Sequence, residues 1–370
     1  MPIQWKKARG RQTVPLSAGT GKRIGCDRMK RLKAVCLSAL AVLTMMPCAF
    51  AEKAEDKGAD ELIVVSLGDS YASGEGIEEF YGQELDAAEK IKNADWLAHR
   101  SVRSWPGALH FGGSEQPMSA YKDGDGSIKW YFRASSGALV RNLSDMQLKS
   151  YDYPEGNRGK WGLPAQLDVF DTIPAGTVDY VTVSIGGNDV GFAELMGTAL
   201  AGSNKALDRF IDGIWEKWPS IREDIRAGYE SIAEKAGPQA QIIVVGYPTL
   251  LNDEGKGFDK DADYAFAIKA ENCADVNRAS LQLNREIEGI VQECADEGMN
   301  ICFVDVTDAF RGHEAYTDDP YINGIYAGAA AREDIDQSSK VSAYSFHPNE
   351  KGALAYAKAV QAYIDSKGWN

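Results

Sequence analysis

Three polar segments of the 370-residue chain carry residue types that nucleophilic catalysis requires. Ser70 lies in GDSYASGEG, Asn188 in GGND and His347 in SFHPN. A serine hydroxyl is a weak nucleophile at neutral pH unless a neighbouring base takes its proton, and an unperturbed histidine has a pKa of about 6.5. Ser70 and His347 could therefore act together if the fold brings them within hydrogen-bond distance.

Short, continuous apolar runs predict strands that are buried on both faces. These runs cover residues 61–67, 178–185, 241–245 and 300–306. Ser70 follows the first run and Asn188 follows the second. Ligands bind in the crevice at the carboxyl ends of parallel strands, so the pattern places both residues at one candidate site.

Helical patterns lie between the predicted strands. Apolar residues at helical spacing run from Leu207 to Trp218, Pro219 interrupts the pattern, and the spacing resumes from Ile221 to Ile232. Pro348 stands at a favoured first position for a final helix. Strands that alternate with helices predict an α/β fold with a mostly parallel sheet covered on both faces.

The first 51 residues differ in charge from the rest of the chain. They contain ten Lys or Arg and one acidic residue, so their formal charge is +9 and that of the remainder is −23. From Met29 onward, basic residues precede an apolar run that ends in AFA at residues 49–51, a pattern typical of secretory signal peptides. We expect residues 1–51 to form a leader and signal peptide, with Met29 as an alternative start, cleavage after Ala51, and a secreted product. A buried first helix or an uncleaved anchor is the alternative.

Residues 52–370 are expected to form a single domain with long loop excursions at about 76–130 and 250–272, where no periodicity is evident. Their three cysteines, Cys273, Cys294 and Cys302, allow at most one disulfide.

The charge of −23 argues against nucleic acids and anionic membrane surfaces as partners. The histidines outside SFHPN are widely separated and show no metal-ligand spacing, so we expect no metal and no cofactor. We also expect no membrane span after processing. The sequence indicates no oligomeric state.

Taken in order, GDSYASGEG, GGND and SFHPN, with Gly137 in the shorter block ASSGA, resemble the sequence blocks of the GDSL or SGNH hydrolase family. GDSYASGEG is particularly similar to a secreted bacterial branch of esterases and lipases. The resemblance implies a three-layer α/β/α sandwich and maps the family's Ser, Gly, Asn and His onto Ser70, Gly137, Asn188 and His347.

The function that the resemblance implies is serine-dependent hydrolysis of a small-molecule or lipid ester. A carbohydrate O-deacetylase on the same fold is one alternative, and a non-catalytic surface binding protein is another. In acyl transfer, His347 would deprotonate Ser70, and negative charge would develop on the former carbonyl oxygen. The donors expected to face that oxygen are the backbone N–H groups of Ser70 and Gly137 and the side-chain amide of Asn188.

The third catalytic member differs from the common family pattern. Many members place an Asp three residues before the histidine, but Tyr344 occupies that position here. Some members of the resembling branch use a main-chain carbonyl instead, so we expect the Tyr344 carbonyl to orient His347. A remote acid, Asp334 or Asp336, is the alternative. Asp69 is expected to have a structural role in its turn.

Overall fold

A parallel sheet lies at the centre of the described part of the chain. The computed structural model describes residues 61–152, 158–201, 203–253, 268–326 and 341–370. The strands, in chain order, are Leu62–Gly68 (β1), Ile128–Phe132 (β2), Gln147–Asp152 (β3), Arg158–Leu163 (β4), Tyr180–Ser184 (β5), Gln241–Val245 (β6) and Ile301–Val304 (β7). Five of them form the central sheet in the order β2-β1-β5-β6-β7, and every neighbouring pair is parallel.

Strand β1 occupies an interior position between β2 and β5. Leu62 pairs with Ile128 on one side, and Val64 pairs with Tyr180 on the other. Val64 and Val65 are completely buried although they point to opposite faces of the sheet. The uninterrupted apolar run therefore reflects a strand that is covered on both faces, as predicted.

Helices flank the sheet and complete a three-layer α/β/α sandwich, which confirms the expected fold class. They are Ser70–Ser73 (α1), Ala87–Lys90 (α2), Ala94–Leu97 (α3), Phe192–Ala201 (α4), Asn204–Ala236 (α5), Ala270–Asp296 (α6), Thr307–Phe310 (α7) and Glu350–Lys367 (α8). Helix α8 begins after the Asn349 cap, so Pro348 lies just outside it and not at its first position.

Helix α5 continues through Pro219, whereas the sequence pattern predicted an interruption there. A proline inside a helix costs about 3 kcal/mol because it removes one backbone hydrogen bond and its ring crowds the preceding turn. Apolar side chains on both sides of Pro219, including Ile214, Trp218, Ile225 and Tyr229, are buried. Their shared packing offsets that cost and keeps the helix continuous.

Residues 76–130 were expected to form a loop excursion. They contain α2 and α3 and lead into β2, an edge strand that the sequence analysis did not predict. Only Trp130 and Phe132 of β2 are fully buried, so its apolar signal is short. Antiparallel strands β3 and β4 form a separate hairpin. Residues 254–267 of the second expected excursion lie outside the described residues, as do residues 1–51, the expected leader.

The three cysteines of the domain are free, and Cys273 and Cys294 are buried. Among the described helices, none is both long and apolar enough to cross a membrane.

Candidate active site

Ser70 lies at the carboxyl end of β1, in the turn that starts α1. Gly68 has a φ of +132°, and a β-carbon there would lie 2.3 Å from the Ser184 carbonyl oxygen, so only glycine fits. The Asp69 carboxylate then caps α1 by accepting the Tyr71 N–H at 3.0 Å. This turn directs the chain away from the sheet immediately at Ser70.

His347 is held on a loop that the Ser70 turn itself contacts. The Tyr71 hydroxyl donates to the Phe346 carbonyl at 2.7 Å, and the Tyr71 and His347 rings lie 5.0 Å apart. Phe346 has a φ of +61°, a conformation that non-glycine residues adopt rarely. The hydrogen bond and the ring packing hold that conformation and fix the position of the imidazole.

The Nε2 atom of His347 lies 2.8 Å from the Ser70 Oγ. Its Nδ1 atom lies 3.1 Å from the Ser345 carbonyl oxygen, which can only accept a hydrogen bond. The proton of the neutral ring therefore belongs on Nδ1, and Nε2 is free to accept the Ser70 hydroxyl proton. Burial lowers the pKa of His347 below 6.5, although the charge of Glu75 opposes this shift. The lowered pKa keeps the ring neutral near pH 7.

The main-chain carbonyl at Nδ1 belongs to Ser345, and this corrects the expectation for Tyr344. The Tyr344 carbonyl accepts the backbone N–H of His347 at 3.3 Å and the Asn323 side chain at 3.3 Å. Phe346, with its φ of +61°, lies between Ser345 and His347, so its backbone conformation sets which preceding carbonyl the ring faces. Asp334 and Asp336 lie outside the described residues.

Asn188 contacts the segment that contains Gly137. Gly137 has a φ of +72°, and the Asn188 side-chain nitrogen donates to the Ala138 carbonyl at 2.9 Å. An amide nitrogen carries two hydrogens, so one remains for another acceptor. Asn188 and Ser70 line the same pocket.

Tyr247 links two of these segments, a role that the sequence analysis missed. Its hydroxyl donates to the Asp69 carboxylate at 2.6 Å and accepts the Gly187 N–H at 3.0 Å. Burial raises the pKa of Asp69 to about 7, and the Tyr247 hydrogen bond opposes that rise. The available signal was the position of Tyr247 just after β6, at the same sheet edge as Ser70 and Asn188.

An apolar pocket opens beside Ser70 and Asn188. The space between its walls is about 590 Å³, including the part open to solvent. Helices α4, α5 and α6 supply its apolar walls, among them Phe192, Leu195, Ile214, Trp215, Val276 and Leu283. Within the described ranges, no cluster of three or more His, Cys, Asp or Glu could hold a metal ion.

A parallel α/β/α sandwich that presents a serine hydrogen-bonded to a histidine at its strand ends has the architecture of a serine hydrolase. The chain belongs to the GDSL-like lipase/acylhydrolase family, whose family model matches residues 64–360. It is a carboxylic ester hydrolase.

Similar proteins come from Streptomyces. A lipase of Streptomyces rimosus is 26% identical over 265 residues, which covers 70% of this chain and 76% of the relative. Lipase 1 of Streptomyces coelicolor is 27% identical over 295 residues, which covers 80% and 86%.

Two solved structures share the fold. The extracellular lipase from Streptomyces rimosus matches with a TM-score of 0.53 at 22% sequence identity. The match covers 82% of this chain and 99% of the lipase chain. Phospholipase A1 from Streptomyces albidoflavus has a TM-score of 0.54 at 20% identity, with coverage of 83% and 99%.

Proposed function

We propose that the protein is a secreted esterase or lipase that forms an acyl-enzyme on Ser70, with His347 as general base. The observation that carries this proposal is the 2.8 Å contact between His347 Nε2 and Ser70 Oγ, combined with an Nδ1 that faces the Ser345 carbonyl. This geometry supports proton transfer from Ser70 to a correctly oriented neutral imidazole.

In the proposed reaction, the Ser70 Oγ attacks the ester carbonyl while His347 Nε2 takes its proton. The tetrahedral oxyanion is stabilised by the N–H groups of Ser70 and Gly137 and by the Asn188 amide. Collapse breaks the bond to the alcohol, which leaves with the proton from His347. Water then attacks the acyl-enzyme by the same route and releases the carboxylic acid.

The pocket beside Ser70 favours an acyl chain as the group that binds there. Its walls from α4, α5 and α6 are almost entirely apolar, whereas a sugar would need many hydrogen-bonding groups. The Streptomyces relatives named lipases and the fold neighbour named phospholipase A1 agree with a lipid or acyl ester substrate. A carbohydrate O-deacetylase is the second candidate, since an acetyl group requires only the mouth of the pocket.

We also propose that residues 1–51 direct export and are removed. The basic and apolar pattern supports this, and one similar structure is that of an extracellular lipase.

A fluorophosphonate probe and a graded series of acyl esters test the proposed function together. The protein should label at Ser70, and hydrolysis should favour acyl chains longer than acetyl. Ser70→Ala should remove labelling and nearly all turnover while the far-ultraviolet circular dichroism stays unchanged.

Equal labelling of the Ser70→Ala variant would overturn the assignment of the nucleophile. Absence of labelling and turnover in the folded parent protein would support the non-catalytic alternative. Exclusive activity on acetylated polysaccharides would instead support the deacetylase.

A further inference from the structure

Two side chains of β3 bind one carbonyl oxygen in the segment that contains Gly137. The Gln147 Nε2 donates to the Ser136 carbonyl at 2.8 Å, and the Lys149 Nζ donates to the same oxygen. A carbonyl oxygen has two lone pairs, so it can accept both hydrogen bonds. Gln147 is only 8% exposed, so its amide is largely withdrawn from water. The β3–β4 hairpin therefore holds this carbonyl in one direction.

The same peptide carries the N–H group of Gly137, one of the proposed oxyanion donors. The bond between Ser136 and Gly137 is trans, and a planar trans peptide directs its C=O and its N–H to opposite sides. With the carbonyl held by β3, the Gly137 N–H points away from Gln147 and Lys149. It has no acceptor among the described residues, and Gly137 is exposed. This donor is therefore available to a substrate oxygen.

Other hydrogen bonds attach the ends of this segment to the rest of the site. The Ser135 N–H donates to the Gly68 carbonyl at 2.9 Å, in the turn that leads to the nucleophile. The Asn188 side chain donates to the Ala138 carbonyl at 2.9 Å. These contacts place the segment, and the hairpin sets the orientation of the peptide at Gly137 between them.

We propose that Gln147 and Lys149 are positioning residues that aim the Gly137 N–H at the oxyanion of the tetrahedral intermediate. The Lys149 cation also polarises the peptide and makes its N–H a stronger donor, because linked hydrogen bonds strengthen one another. In this role neither side chain touches the substrate. The inference rests on the proposed function, in which Ser70 attacks the ester.

Gln147→Met and Lys149→Met test the proposal, since each keeps an unbranched side chain that cannot donate to Ser136. Either change should lower kcat by about tenfold, and the double variant by about 10²-fold, the lower end of the loss for one missing oxyanion donor. KM should change little, because this donor binds more strongly only as charge develops. Gln147→Met alters no charge, so its effect reports the aim of the peptide alone. Steady-state kinetics on a soluble ester measures both constants.

An alkyl trifluoromethyl ketone gives a readout that a merely structural role would not move. Its carbonyl carbon forms a reversible bond with the Ser70 Oγ, the hydroxyl proton passes to His347, and the carbonyl oxygen becomes an anion. In each variant its inhibition constant should rise by the factor by which kcat falls. A long-chain alcohol, which fits the acyl pocket but forms no oxyanion, should keep its inhibition constant.

Three variants serve as controls. Lys149→Arg keeps a cationic donor and should retain most of the parent kcat. Leu148→Ala changes the residue between Gln147 and Lys149, whose side chain is 62% exposed, and should leave kcat and both inhibition constants unchanged. Lys129→Met removes a partly buried lysine of β2 that pairs with Glu61, and it should likewise have no effect.

A parent-like kcat in the folded double variant would overturn the inference, as would an equal loss in Leu148→Ala. A rise in KM alone, or a fall in kcat without weaker ketone binding, would also overturn it. If the double variant does not fold, the two single variants are judged by the same criteria. Failure of the proposed function is distinct, because the parent protein would then neither label with fluorophosphonate nor hydrolyse esters.

Discussion

At the scale of single residues, the His347 ring is held by hydrogen bonds at both nitrogens. Nδ1 faces the Ser345 carbonyl at 3.1 Å, and Nε2 faces the Ser70 hydroxyl at 2.8 Å. A carbonyl fixes the tautomer as well as a carboxylate does, but it carries no full charge. The Ser345 carbonyl therefore orients the ring without supplying a full charge to it.

Removal of the Asn188 amide should affect the transition state and leave substrate binding nearly intact. Asn188→Ala should lower kcat by about 10²–10³-fold, the usual loss for one oxyanion donor. KM should change little, because the interaction strengthens only as charge develops. Steady-state kinetics on a soluble ester measures both constants. A large rise in KM at constant kcat would make Asn188 a binding residue instead.

The identity of the third catalytic member can be tested at Asp334 and Asp336, the remote acids that the sequence analysis left as alternatives. With the Ser345 carbonyl on Nδ1, Asp334→Asn and Asp336→Asn should each retain most activity. In a Ser-His-Asp triad, the corresponding change lowers kcat by about 10⁴-fold because the histidine adopts the wrong tautomer. The two outcomes are far enough apart for a simple rate assay. A loss of that size in either folded variant would establish a remote-acid triad.

At the scale of elements, the site forms where segments that follow different strands meet. The Tyr71 hydroxyl ties the turn after β1 to the His347 loop, and the Tyr247 hydroxyl ties that same turn to the segment after β5. Buried hydroxyls that are fully hydrogen-bonded fix relative positions, since breaking one bond leaves a polar group buried without a partner. These two tyrosines therefore fix the positions of the site segments relative to one another at the edge of the sheet.

Helix α6 should set the acyl-length preference, because Ala279 and Leu283 both line the pocket. Ala279→Leu would fill part of the pocket, so kcat/KM for long acyl esters should fall by about tenfold while acetyl esters change little. The same substitution at Ala270, which is exposed at the start of α6, is the control and should leave the profile unchanged. An equal loss for every chain length would show that the acyl group binds elsewhere.

The interior strands and the residues that end them could be predicted from sequence because their signals are local. A buried parallel strand is a continuous apolar run, and Ser70 and Asn188 directly follow such runs. The Tyr247–Asp69 hydrogen bond joins residues 178 positions apart, and no local pattern encodes a partner at that distance. Glu75 stood in a motif that was noticed, but its burial and its His99 partner appear only when the loop is folded.

The continuity of α5 and the contact at Ser345 were missed for related reasons. The pattern around Pro219 predicted an interruption that packing against neighbouring elements overrides. The register of the His347 loop depends on one positive φ at Phe346, and sequence spacing alone could not distinguish the carbonyl of Ser345 from that of Tyr344.

At the scale of the whole molecule, charge is distributed very unevenly along the chain. Residues 1–51 carry +9, and residues 52–370, which include the family match at 64–360, carry −23. An anionic surface of this size favours the approach of neutral or cationic substrates over anionic ones. If residues 1–51 are removed as proposed, the net charge changes from −14 to −23, which would strengthen this preference.

The last prediction concerns that removal. Strand β1 begins at Leu62 in the interior of the sheet, so cleavage after Ala51 leaves a spacer and spares the strand that positions Ser70. Secreted protein should therefore begin at or near Glu52, as N-terminal sequencing would show. A chain produced directly from Glu52 should match it in melting temperature and kcat, because the sheet and the site residues all lie downstream. Secreted material that begins at Met1 or Met29, or a Glu52 chain that fails to fold, would contradict this division of the molecule.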